Sequence, residues 1–140
     1  NLDSGEVRPV TPPGVELNEP RSLSPDGRSV VVRAPDGPLT RYPLGGGEPS
    51  LIAGAGPRDF PIRFDETGES LYVLQFGGVP SPVYKIDLAT GERTLSRELS
   101  PADPAGVFDV DKLFMTADGS AYVYSYRRFL SNLKVVEGLE

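Results

Sequence analysis

Ser24-Pro25-Asp26-Gly27-Arg28-Ser29-Val30-Val31-Val32 sets a tight turn directly before a β-branched run, and the same arrangement returns twice along the chain. It returns at Asp65-Glu66-Thr67-Gly68, followed by Leu71-Tyr72-Val73-Leu74, and at Thr116-Ala117-Asp118-Gly119, followed by Ala121-Tyr122-Val123-Tyr124. Pro25 presets φ at the second turn position, Asp26 suits the bridge-like conformation after it, and Gly27 supplies the left-handed residue that closes a hairpin. Gly68 and Gly119 are expected to do the same, 41 and then 51 residues further along.

A second ladder interleaves with the first. Leu2-Asp3-Ser4-Gly5-Glu6, Leu44-Gly45-Gly46-Gly47-Glu48 and Leu88-Ala89-Thr90-Gly91-Glu92 share one pattern, with glycines 42 and 44 residues apart. Gly5, Gly47 and Gly91 read as turns that reverse the chain between two strands. Two ladders in one order mark internal repeats with a period near 40 residues. The longer third interval is absorbed by two Pro/Gly-rich insertions, Gly77 to Pro82 and Pro101 to Gly106.

Strands are expected on both sides of each turn. Pro20 to Leu23, Pro61 to Phe64 and Lys112 to Met115 lead into the first set of turns, and the β-branched and aromatic runs leave them. Val83-Tyr84-Lys85-Ile86-Asp87-Leu88 then alternates with period two, placing Tyr84, Ile86 and Leu88 on one face; residues 39–44 and 133–136 match it. Val7-Arg8-Pro9-Val10, Ser50-Leu51-Ile52 and Thr94-Leu95-Ser96 follow as weaker outer strands, where Pro9 is tolerated at an edge. Four strands per repeat predict an all-β fold: three four-stranded antiparallel blades of a β-propeller, a half-propeller spanning 1–140 with approximate repeats 1–44, 45–88 and 89–140.

The residues Ser24 to Val32 resemble the TolB-like, WD-repeat-like propeller repeat of bacterial proteins, and Val83 to Gly91 is similar to its continuation. The whole chain resembles the C-terminal propeller half of some bacterial serine/threonine protein kinases, with Ser125-Tyr126-Arg127-Arg128-Phe129-Leu130-Ser131-Asn132-Leu133 similar to their ending. The kinase's own signatures are missing: there is no glycine-rich nucleotide loop, no His-Arg-Asp and no Asp-Phe-Gly. The resemblance implies a noncatalytic protein or peptide interaction or sensor module, a fragment of a larger bacterial protein on the periplasmic or extracytoplasmic side. Asp65-Glu66-Thr67-Gly68 departs from the repeat by lacking its Pro, and Thr116-Ala117-Asp118-Gly119 by carrying Ala there.

Composition narrows the chemistry. The 140 residues contain no Cys and no His, which excludes a disulfide framework, a thiolate nucleophile, a Ser-His-Asp triad and an imidazole metal site within this chain. No cofactor and no metal are expected. A formal net charge of −6 without a basic cluster argues against nucleic acid as partner. No apolar run reaches the roughly 18 residues of a membrane span, so no membrane insertion by this segment is expected. The start at Asn1, without Met or a leader pattern, reads as a piece of a longer protein.

Glu19, Asp59 and Asp109 fall on innermost strands or their entry loops, and are candidates to ring one mouth of the channel with negative charge; the plainer reading is scattered solvated carboxylates. Tyr122, Tyr124 and Tyr126 share a strand face and read as packing rather than a binding stripe. Arg127-Arg128 could meet a partner's anion or be an ordinary solvated pair. Leu44-Gly45-Gly46-Gly47 lacks the Lys-Ser/Thr and helix of a phosphate loop and reads as a strand-linking turn.

Two alternatives stand beside the interaction module: the propeller part of a peptidase or carbohydrate-active enzyme with its catalytic residues outside this chain, and a ligand-free structural array. Three blades fall short of the roughly four to eight of a closed ring. Two copies are therefore expected to associate as a six-bladed homodimer, the outer strand at 7–10 of each completing the last blade of the other.

Overall fold

The computed structural model describes residues 5, 7, 9–13, 15, 22–33 and 37–131. Within them the chain is all-β, without a helix: β1 (Ser29–Arg33), β2 (Leu39–Pro43), β3 (Ser50–Leu51), β4 (Asp59–Phe64), β5 (Ser70–Gln75), β6 (Ser81–Asp87), β7 (Arg93–Leu99), β8 (Val107–Met115) and β9 (Tyr122–Arg128). They form three antiparallel sheets: β1-β2-β3 (sheet A), β4-β5-β6-β7 (sheet B) and β8-β9 (sheet C). Each hairpin turn forms where a glycine was expected, with φ of 67° at Gly27, 76° at Gly68 and 73° at Gly119. Gly47 and Gly91 adopt positive φ as well, and the chain crosses each of them into the outer strand of the same sheet.

The expectation of three four-stranded blades is corrected: the sheets hold three, four and two strands among the described residues, and no closed barrel forms. Sheet B carries the full set. In sheet A the expected innermost strand is reduced to one bridge, Leu23 to Val30; residues 20 and 21 of that strand lie outside the described residues. The expected strand at 133–136 also lies outside them. The outer strand expected at 7–10 does not join a sheet at Val7, Pro9 or Val10, and Val7 is 94% exposed. Proline there offers the sheet no N–H donor, which weakens any ladder through it.

Sheet B lies between the other two, and the sequence of β5 explains why. Leu71 and Val73 point to one face, where they join Val31, Leu39, Ile52, Phe64 and Ile86 in a buried cluster with sheet A. Tyr72 and Leu74 point to the other, joining Ile62, Val83, Leu99, Val110, Leu113 and Met115 in a cluster with sheet C. A strand apolar on both faces is one packed on both sides. Full burial of each such aliphatic side chain contributes about 1.5–3 kcal/mol, so the two seams account for most of the hydrophobic stabilisation.

Arginines tie the seams together. Arg33 of sheet A donates to the carbonyls of Pro57 and Asp59, the latter at 3.0 Å. Arg63 of sheet B donates to the Met115 carbonyl at 2.7 Å, and Arg97 to that of Gly119 while lying 4.3 Å from the ring centroid of Tyr122. Near the first seam Gly54 and Gly91 meet backbone to backbone, both at positive φ; a Cβ on Gly54 would collide with the Gly91 carbonyl.

Candidate functional site

The three hairpin turns share one polar network. In the first, the Ser24 hydroxyl donates to Asp26 Oδ1 at 2.6 Å and accepts the Ser29 N–H at 2.9 Å, while Asp26 Oδ1 accepts the Arg28 N–H at 3.0 Å. In the third, Thr116 and Asp118 repeat this, with Ala121 N–H donating to Thr116 Oγ1 at 3.0 Å and Ser120 N–H to Asp118 Oδ1 at 3.0 Å. In the second the chemistry is exchanged: Asp65 takes the hydroxyl's place and accepts the Ser70 N–H at 3.2 Å, and Thr67 takes the carboxylate's place and accepts the Glu69 N–H at 3.2 Å. Thr67 then donates to Asp65 at 3.1 Å.

These bonds favour the charged carboxylates. The Thr116 hydroxyl, backed by the Ser120 N–H, lowers the Asp118 carboxyl to about 2. The Ser24 hydroxyl and the Arg28 N–H lower Asp26, and the backbone and side chain of Thr90 lower Asp87 in the β6–β7 turn. At Asp65 burial pushes the carboxyl up, but hydrogen bonds from Lys85, Ser70 and Thr67 outweigh it and the group is held low. Its bond to Lys85 Nζ, 3.1 Å long, raises that ammonium in turn.

Of the three carboxylates expected at a channel mouth, Glu19 lies outside the described residues. Asp59 opens β4 and is 0% exposed. Its carboxylate accepts the Gly56 N–H at 2.6 Å and a two-pronged contact from Arg93, with Arg93 Nη2 to Oδ1 at 2.9 Å and Nη1 to Oδ2. Asp59 is thus a clamp that fastens the loop before β4 to β7, with no face toward solvent. Arg93 lies 3.8 Å from the Tyr84 ring centroid, and its hydrogen bonds to Asp59 raise its already high pKa.

Asp109 lies on β8 opposite Arg127, whose Nη2 stands 3.6 Å from Asp109 Oδ2. Arg127 Nε is 3.6 Å from Asp111 Oδ1, so one guanidinium serves two carboxylates. Asp109 Oδ1 is buried without a hydrogen-bond partner among the described residues. Asp59 and Asp109 therefore each pair with an arginine of their own sheet and do not form one cluster. No group of three or more acidic side chains that could hold a metal ion occurs among the described residues.

The structure adds a feature that the sequence did not announce. Between β4 of sheet B and β8 of sheet C runs a cleft of about 340 Å³, lined by Phe60, Ile62, Leu74, Phe76 and Leu113 with Asp111 and Lys112 at its rim. Phe60 and Phe76 meet edge to face with centroids 5.5 Å apart, giving the cleft a rigid aromatic wall. The available signal was weak: Phe60 and Phe76 stand 16 residues apart, one on each arm at the open end of the β4–β5 hairpin, and Phe76 precedes the Gly77-Gly78 insertion. Tyr124 packs on the neighbouring core as expected, while Tyr122 and Tyr126 remain 48% and 43% exposed. No protein-family model and no curated protein matches the chain.

Proposed function

We propose that the chain is a noncatalytic interaction module built of TolB-like propeller repeats, which captures an apolar side chain of a protein or peptide between neighbouring innermost strands. The cleft between β4 and β8 carries this reading: it is apolar within, walled by two aromatic rings, and rimmed by one carboxylate and one ammonium. Such a mix suits a peptide, whose side chain enters while its backbone or flanking charges meet Asp111 and Lys112. Stacked sheets of a repeat with matching turns are compatible with a propeller-like arrangement, in which β4 and β8 would be neighbouring central strands.

A displayed library of random heptapeptides, selected on the intact chain, tests the proposal. Enriched peptides are expected to share an aromatic or branched aliphatic residue and to bind the Phe76→Ser chain at least about ten-fold more weakly. Selection that yields nothing, or binders indifferent to that substitution in a folded variant, overturns it.

A further inference from the structure

The charges beside the cleft between β4 and β8 are unevenly answered. Its acidic rim is met from within sheet C, where Arg127 stands 3.6 Å from both Asp111 and Asp109. The ammonium of Lys112, on the same rim, has no carboxylate partner among the described residues.

A second cation stands beside the aromatic wall. The Phe76 N–H donates to the Arg58 carbonyl at 3.0 Å, which fixes Arg58 opposite one of the two rings. Its guanidinium lies against Gly77, where an added Cβ would meet Arg58 Nη1 at 3.0 Å. No carboxylate answers this group among the described residues, since the neighbouring Asp59 is taken up by Arg93 and the Gly56 N–H. Both cations are exposed. Arg58 stands ten residues before the turn glycine Gly68 and Lys112 seven before Gly119, so the two are offset along the cleft.

We infer that the cleft takes an acidic peptide: an aromatic or branched aliphatic side chain enters between Phe60, Phe76 and Leu113, and carboxylates beside it in the peptide meet Lys112 and Arg58. Unanswered cations at the edge of an apolar cleft are complementary to an anion carried next to an apolar group. At physiological salt, charges more than about 8 Å away are largely screened. The two cations, rather than the formal net charge of −6, therefore decide what binds there. That net charge disfavours acidic partners elsewhere on the chain, which confines the peptide to the cleft. The inference rests on the peptide reading of the cleft and adds to it the charge of the partner.

Three end-capped pentapeptides with a central Phe, flanked on both sides by Asp, Asn or Lys, are titrated against the intact isotope-labelled chain and followed by amide chemical shifts. An exposed ion pair is worth up to about five-fold in affinity, so the Asp peptide is expected to bind about five- to ten-fold more tightly than the Asn peptide. Lys112→Gln and Arg58→Gln are each expected to weaken the Asp peptide about two- to five-fold. Both should leave the Asn peptide unchanged, which also reports that the variants fold. Asp111→Asn is expected to tighten the Asp peptide, because it removes a like charge from the rim. Equal affinity for the Asp and Asn peptides overturns the inference, as does a Lys peptide tighter than both. An Asp advantage that survives both cation substitutions overturns it too. In each of these cases binding that is still lost in Phe76→Ser leaves the cleft standing as a site for apolar side chains. If none of the three peptides shifts the cleft residues, the peptide reading falls and the inference falls with it.

Discussion

The two seams of the stack are built from the same repeat and closed in different ways. Where sheet A meets sheet B, an aliphatic cluster is reinforced by the loop before β4, which Asp59, Arg93 and Arg33 bolt down and which Gly54 brings against Gly91. Where sheet B meets sheet C, the cluster contains Tyr72 and Met115, arginines reach across singly, and the cleft opens beside β4. The difference teaches that covering apolar surface suffices to stack sheets, while the polar bonds at a seam range from a buried carboxylate–guanidinium clamp at one to single arginine-to-carbonyl contacts at the other.

The largest expected effect comes from removing that clamp. Asp59→Ala leaves Arg93 largely buried without its counter-charge and is expected to cost about 3–5 kcal/mol, read from urea unfolding; a loss below about 1 kcal/mol would put both seams on the same footing. At the looser seam Arg63→Ala removes the donor to the Met115 carbonyl. That is expected to cost about 1.5–3 kcal/mol, the range for hydrogen bonds from charged groups, and a loss equal to that of Asp59→Ala would erase the contrast.

Acid is expected to act on the turns. The Asp118 carboxyl titrates lower in the folded chain than its ordinary value of 3.8, so its stabilisation is complete above that value and is lost as pH falls through about 2. A carboxyl-carbon NMR titration is expected to give Asp118 a midpoint near 2, moving up toward 3.8 in Thr116→Val; coincident midpoints in the two chains would deny the hydroxyl its role. The smallest effect belongs to an exchange of letters. Asp65→Thr with Thr67→Asp restores the order used by the other two turns and gives up the contact to Lys85, whose side chain is 41% exposed. It is expected to cost only about 0–1 kcal/mol, whereas Asp65→Thr alone should cost more, because neither position 65 nor position 67 then carries the carboxylate that accepts the turn's hydroxyl and N–H.

How far the fold could be read in advance follows from the range of the forces involved. The turns were legible because each is decided within six residues, by a glycine at positive φ and two side chains that bond the nearest N–H groups. The strands β5 and β6 were legible for a like reason, since alternation and β-branching are local. Asp59 was not, because its partner stands 34 residues away and nothing in Pro57-Arg58-Asp59-Phe60 distinguishes a buried carboxylate from a solvated one. The count of strands per sheet failed where a sheet's membership depends on segments distant in the chain, as at Val7 and Pro9. The cleft was hidden because a gap is a property of two elements together.

The arginines at the seams share a habit with a longer consequence. Arg33, Arg63 and Arg97 all address main-chain carbonyls of the neighbouring sheet. A carbonyl is present at every residue whatever its side chain, so these contacts place no demand on the letters they touch. One repeat can drift in sequence without its neighbour having to answer. A gene that duplicates such a unit obtains a copy already able to dock, and the array can lengthen, shorten or diversify its exposed loops without renegotiating the joints.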